Sequence, residues 1–248
     1  MPRYFIEVAY RGTNYSGFQV QQNANSIQAE IEKALKVYFR QEFSLTGSSR
    51  TDAGVHALQN FFHFDFDVEI IDASYQINAI LPDDIVVKRI FKVRDDAHCR
   101  FDAISREYRY YIYERKDPFV EDRAYYYPYT LTIGNMEEAA DVLKDFHDFS
   151  SFSKRNTQVK SFECDIKKSE WQKEGDMWVY HVVANRFLRG MVKGLVGTML
   201  QVGRGKINVK EFRDIIESHD CTKADFSVPS QGLFLVAVNF SDQKPSDG

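Results

Sequence analysis

Cysteine is scarce in this chain, with three in 248 residues. Cys99, Cys164 and Cys221 are widely spaced and form no C-x-x-C pair. An odd, scattered set offers neither a disulfide framework nor zinc-ligand spacing, and it implies a reducing compartment, so a cytoplasmic location is expected. No apolar run approaches the ~18 residues of a membrane span. The opening MPRYFIEVAY alternates like a strand and does not resemble a signal peptide, so no membrane partner is expected. There is no G-x-S-x-G elbow, no HExxH and no three-histidine spacing. Low-complexity segments are missing too, and the only stretch that reads as floppy is the tail SDQKPSDG.

Charge of one sign is missing in places where the formal net charge of -4 would not suggest it. From Ala184 to Lys210 there is no acid, while Arg186, Arg189, Lys193, Arg204, Lys206 and Lys210 are present. Ile85 to Arg94 is likewise basic. Phe61 to Asp84 reverses the sign, with Asp65, Asp67, Glu69, Asp72, Asp83 and Asp84 and no Lys or Arg. Local fields govern phosphate binding more than net charge does. Taken alone, the pattern reads first as solvated faces pointing different ways, with a polyanion partner as the alternative.

Apolar content of 44% and charged content of 27% are those of an ordinary globular chain. The element order reads as a duplication. Arg3–Tyr10 is a strand; Asn25 or Ser26 caps a helix with Ile27, Ile31, Leu35 and Tyr38/Phe39 at helical spacing. Strands follow at about 43–46 and 60–66, then a helix near 73–81 stopped by Pro82, then the strand IVVKRIFKV. That is β-α-β-β-α-β. The order repeats with a strand at 106–113, a helix capped by Asn135 with Glu138, strands near 162–171 and 177–185, a helix at 187–202, an accessory helix opened by Asn208 with Glu211, and the strand LFLVAVNF. The expected fold is α+β: two ferredoxin-like halves, residues 1–103 and 104–248, with a largely antiparallel sheet, helices on one face and a central cleft.

Several constellations carry chemistry. GSSRTDAGVHA, between two strand-like segments, has the Gly, Ser and Asp of a turn but also Arg50, Asp52 and His56. A turn aspartate ordinarily bonds its own backbone; held in place, its carboxylate serves equally as nucleophile, base or metal ligand. A Ser-Asp-His set with Ser48 or Ser49 would have to fit in one loop. Asp52, His56, His63 and Asp65 lack established metal spacing, so no metal is expected. In FLRGMVKGLVGTML, Arg189 and Lys193 share a helix face, and Lys193 is flanked by apolar residues and glycine. There it either pairs with a carboxylate or snorkels to solvent. Tyr108, Tyr110, Tyr111 and Tyr113 interleave with Arg106 and Arg109, a pattern suited either to a core strand or to stacking on bases while arginines meet phosphate. The early loop YRGTNYSGFQVQQN is apt for polar contacts.

Together, YRGTNYSGFQ, GSSRTDAGVHA, INAILPDDIVV, HCRFDAISREYRYYIY, RFLRGMVKGLVG and QGLFLVAV, in this order, resemble the tRNA pseudouridine synthase A family over nearly the whole chain. The resemblance implies two α/β halves forming an RNA-binding cleft, a homodimer, no cofactor or metal, and isomerisation of uridine to pseudouridine at positions 38 to 40 in the anticodon stem-loop of tRNA. By that resemblance Asp52 matches the catalytic aspartate, Arg50 the arginine that displaces the target nucleotide, and Tyr108 the tyrosine stacked on the target base. Lys193 falls where the family usually has an arginine paired with the aspartate, and lysine lacks its bidentate fork. Ser49 and Phe18 stand where glycine and tryptophan are usual. Arg106, Arg109, Arg186, Arg189 and His56 are the expected substrate contacts. The rival readings are an RNA-binding module without chemistry, a hydrolase built on Asp52 and His56, and a pseudouridine synthase acting on another RNA.

Overall fold

The computed structural model describes residues 1–71, 73–155 and 159–241. Asp72 of the acidic run and all but the first residue of the tail SDQKPSDG therefore lie outside the described residues. In chain order the elements are β1 (Arg3–Tyr10), α1 (Ile27–Phe39), β2 (Thr46–Gly47), β3 (His56–Asp65), α2 (Ser74–Asn78), β4 (Ile85–Val93), β5 (Ala103–Tyr113), β6 (Tyr125–Tyr126), α3 (Ile133–Val142), β7 (Ile166–Glu174), β8 (Met177–Ala184), α4 (Met191–Gly203), α5 (Val209–Glu217) and β9 (Leu233–Phe240). The mixture of helices and largely antiparallel strands agrees with the α+β expectation at that level. Compactness separates two units, Met1–Ile104 with the chain from Phe234 onward, and Ser105–Leu233.

In the first unit β1 pairs antiparallel with both β3 and β4. Its residues from Tyr4 to Val8 are all buried, as expected of a central strand covered on both faces. Ser26 caps α1 by accepting from the Ala29 N–H, and Ile27, Ile31, Ala34 and Leu35 form its buried stripe. Phe18 stacks on Phe62 with ring centroids 4.4 Å apart. The strand expected at 43–46 shrinks to Thr46–Gly47, because two side chains of α1 satisfy its backbone. Leu45 N–H donates to Glu32 Oε1 (2.9 Å) and Leu45 O accepts from Gln28 Nε2 (2.9 Å). The helix expected at 73–81 is likewise shorter. Its last residue, Asn78, turns its amide to both backbone groups of Val87, at 2.8 Å each.

The outer edge of β3 is shared. Phe62 and His63 pair with β2, while His56 and Ala57 pair in parallel with Phe234 and Leu235 of β9. That second pairing is why β3 begins at His56 and not near residue 60. It also gives the final strand, read from the sequence as part of residues 104–248, a partner in the first unit.

In the second unit β8 lies between β5 and β7, antiparallel to both. Trp171, Tyr180 and Tyr110 are buried, and Trp171 Nε1 reaches Met199 Sδ of α4 at 3.4 Å. Helix α3 starts at Ile133, and Asn135 lies inside it, so the expected Asn135–Glu138 capping box is absent. Thr132 N–H is tied to Gly203 O (2.8 Å), and this long-range bond sets the helix start. Helix α4 also begins later than the expected 187, because Gly190 takes the left-handed conformation (φ 75°) and breaks any helix before Met191. The Asn208–Glu211 capping box of α5 is present as expected.

Candidate active site

The segment between β2 and β3 is held almost atom by atom. Ser48 N–H donates to Phe61 O (2.8 Å). Asn60 Nδ2 donates to Ser49 O (2.8 Å) and to Tyr10 Oη (3.1 Å), and Tyr10 Oη is 2.8 Å from Thr51 Oγ1. Thr51 O accepts from Phe18 N–H (3.1 Å). Asp52 O accepts from Val55 N–H (3.2 Å), closing a turn in which Gly54 has φ 77°. Positive φ at that position is the geometry glycine adopts at no steric cost.

The consequence is a graded exposure. Thr51 and Val55 are buried, Asp52 is half-buried, and Arg50 is exposed. Arg50 and Asp52 thus stand on a backbone whose neighbours are fixed. The hydroxyls of Ser48 and Ser49 are buried and have no hydrogen-bond partner among the described residues. A Ser-Asp-His relay gains no support from them.

His56 belongs to the support and not to the exposed rim. It is 2% exposed, stacks on Phe234 with centroids 4.5 Å apart, and accepts the Gly12 N–H at Nδ1 (3.3 Å). The early loop is anchored as well, since Tyr15 Oη and Asn14 Nδ2 donate to the Asp84 carboxylate (2.5 and 3.1 Å). Burial and that bond push the Tyr15 phenol well above its usual range.

His63 and Asp65 do not join Asp52 in a metal set. Asp65 takes both oxygens to Arg3 (2.7 and 2.9 Å), which holds its carboxyl below the usual range. His63 instead meets His98 and Cys99, whose ligand-type atoms all lie within 4.8 Å of one another. Both imidazoles are already engaged there. His98 Nδ1 accepts from Arg100 N–H (3.1 Å), and His63 Nδ1 lies 3.2 Å from Cys99 Sγ. Burial lowers the His63 pKa to about 4.

The remaining expected residues lie in the second unit. Tyr108 of β5 is buried and meets Phe187 edge to face (5.0 Å). Strand alternation puts Arg106 on the side of Tyr108 and Arg109 on the other. Arg106 Nη1 donates to Asn185 O (2.9 Å), and the Asn185 side chain exchanges two hydrogen bonds with Asp165 (2.9 and 3.0 Å). That corner presents Arg186, half-buried, beside a depression it lines with His147, Ser161 and Glu163. Arg109 is engaged with Glu174 (3.1 Å) and Glu107 (3.7 Å), an anchored role on the face away from Tyr108. Arg189 and Lys206 are exposed. Lys193 is half-buried in the first turn of α4, and its Nζ donates to Ser230 Oγ (3.3 Å).

Sequence reasoning missed Tyr10, Asn60, Phe187 and Ser230. Asn60 left a trace: it is an amide directly before Phe61 and Phe62 in a strand rich in aromatics, a position where burial without partners is costly. The others gave no local signal, because their partners are distant in the chain.

The geometry thus offers a fixed turn with a half-buried aspartate, a tyrosine strand and an acid-free basic segment. A family model described as tRNA pseudouridine synthase matches residues 6–102 and 139–241. Curated relatives agree along the whole length. The tRNA pseudouridine synthase A of Parabacteroides distasonis is 45% identical over 98% of both chains. That of Bacteroides thetaiotaomicron is 44% identical over 98% of this chain and 92% of its own. The Staphylococcus aureus protein of the same name is 37% identical over the same shares. With matches of that extent spanning nearly the whole chain, the protein belongs to the tRNA pseudouridine synthase family and is an isomerase that converts uridine to pseudouridine.

Proposed function

We propose that this chain isomerises uridine at positions 38 to 40 in the anticodon stem-loop of tRNA, with Asp52 as the catalytic carboxylate and no metal or cofactor. The observation that carries the assignment to Asp52 is the turn itself. Its backbone is bonded on both sides of the residue, yet Asp52 is only half-buried, two residues from an exposed arginine. The names of the relatives supply tRNA as the substrate class.

The reaction breaks N1–C1′ and forms C5–C1′. The C5 proton leaves and N1 takes one, so no oxidant, reductant or co-substrate is needed. A uridine in a stem must first leave the stack, at a cost of a few kcal/mol. Arg50, exposed next to the turn, fills the vacated space. Tyr108 stacks on the target base, and its approach to Phe187 fixes the ring plane. Asp52 acts on the sugar or base as nucleophile, or at C2′ as base. Lys193 supplies the positive charge that compensates that carboxylate, the role implied by the family resemblance. Arg186, Arg189 and Lys206 follow the phosphates, with Arg106 holding the corner that carries Arg186. His56 and Arg109, expected as contacts, serve from the support.

The ferredoxin-like reading of each half draws on the first unit, where the strand neighbours run β4-β1-β3-β2 with helices after β1 and β3. A homodimer is taken from the family resemblance, and a cytoplasmic location from the scattered cysteines.

The test is tritium release from C5-tritiated uridine in unmodified tRNA, with EDTA present. Wild type is expected to release tritium at the mapped positions. Asp52→Ala is expected to release it at least on the order of a thousandfold more slowly, a floor below the roughly 10⁴- to 10⁶-fold losses seen when one member of a catalytic set is removed. Release by Asp52→Ala at the wild-type rate would overturn the assignment, and dependence on added metal would overturn the cofactor-free reading.

A further inference from the structure

Lys193 is the residue at which this chain departs from the arginine that the family resemblance leads one to expect. It sits in the first turn of α4, which contains no acidic residue. A cation near the positive end of a helix dipole is unfavourable. A lysine also ends in a point charge on a four-carbon stem, and it loses about 2 kcal/mol of rotamer freedom when fixed in one direction. An arginine carries as much rotamer entropy, but its pre-organised fork loses less of it per hydrogen bond formed. A lysine therefore gains more from a fixed acceptor at its tip.

Ser230 is such an acceptor. Its Oγ takes a hydrogen bond from Lys193 Nζ at 3.3 Å across 37 residues of sequence. The serine opens a short 3-10 turn, Ser230–Gly232. The turn is itself immobilised on both sides. Pro229 O accepts from Tyr110 Oη (2.7 Å), and Gly232 lies so close to the Tyr110 ring that a Cβ there would come within 2.8 Å of it. Tyr110 is fully buried in β5. A chain of rigid contacts therefore runs from the β5 core through Pro229 to Ser230 Oγ, and from there to the ammonium group.

We propose that Ser230 is a positioning residue for this reaction: it acts through Lys193, fixing the direction of its ammonium group. The inference rests on the functional reading above, in which Lys193 takes part in the reaction.

The experiment is a double-mutant cycle in the full chain, reading single-turnover tritium release and tRNA affinity separately. Ser230→Ala is expected to slow turnover about fivefold to tenfold, the scale of one ordinary intramolecular hydrogen bond, with tRNA affinity unchanged. Ser230→Thr, which keeps the hydroxyl, is expected to restore the rate. In a Lys193→Arg background, Ser230→Ala is expected to have no effect, because the guanidinium no longer needs the hydroxyl. Equal losses in the wild-type and Lys193→Arg backgrounds would overturn the proposal, since the serine would then support only its own turn. Unchanged turnover in Ser230→Ala would overturn it as well. A wild-type chain that releases no tritium overturns the parent reading and this proposal with it. Active wild type with an indifferent Ser230→Ala overturns this proposal alone.

Discussion

The Asp52 turn and the Lys193 helix end present oppositely charged groups by opposite means. Around Asp52 the backbone has no regular structure to hold it, and long-range hydrogen bonds from β1, β3 and the early loop do so. Lys193 needs none of that for its backbone, since α4 sets the position of every residue by its own ladder and by an apolar stripe buried between Met191 and Gly203. The tip of the lysine is held through its side chain, with Ser230 Oγ as one acceptor. The turn therefore depends on supporting atoms from other segments, and the lysine tip on contacts beyond its own helix.

The severest challenge to that contrast concerns rate. Asp52→Ala should lose activity on the order of a thousandfold while its melting temperature stays within a few degrees of wild type. Among the bonds described, the turn is supported through the Asp52 carbonyl and not through its carboxylate. A collapse of thermal stability in that variant would show that the carboxylate helps to build the turn.

Asn60→Ala should behave in the converse way. It strips the side-chain donor from the buried Ser49 O and one of the bonds at Tyr10 Oη, which keeps Thr51 Oγ1, and leaving a buried acceptor unpaired costs about 1–3 kcal/mol. Denaturant unfolding should show a loss of about 1–3 kcal/mol, with activity falling alongside. A variant as stable as wild type would mean that the turn is not held through this amide.

The strand that supports the turn also carries a pH response. The His63 pKa is about 4 in the folded chain, lowered chiefly by burial and then by the nearby His98 and Arg3 charges, against an ordinary value near 6.5. Asp65 and Asp102 pull the other way but do not prevail. The unfolded chain therefore binds the proton first. Stability that is complete above pH ~6.5 is lost as the pH falls toward 4, by about 1–3 kcal/mol. His63→Gln should flatten the stability profile between those values, and an unchanged slope would place the response in another group.

The smallest effects belong to the basic segment. Arg189→Ala and Lys206→Ala remove exposed side chains, so stability should shift by less than about 0.5 kcal/mol. tRNA binding should weaken, and each variant should lower the slope of log affinity against log salt by about one. A salt series indistinguishable from wild type would remove these residues from the phosphate path.

Elements whose signals are local were legible in the chain of letters. α1 could be read with its Ser26 cap, as could α5 with its capping box, and β1 and β4, because helical spacing, caps and strand alternation are properties of adjacent residues. The family resemblance was equally legible, since RTDAGVHA and its companions are ordered strings. Contacts between distant segments set the start of β3, the company kept by β9, the shortening of β2 and the first residue of α3. Each depends on a particular pairing: Phe234 with His56, Gln28 and Glu32 with Leu45, Thr132 with Gly203. The same holds at the site. Which residues carry charge was readable from the chain, but that His56 is buried as a support while Asp52 remains half-exposed depended on packing. Burial and hydrogen bonding are satisfied by whichever group the fold brings near, and that identity is not encoded in neighbouring letters.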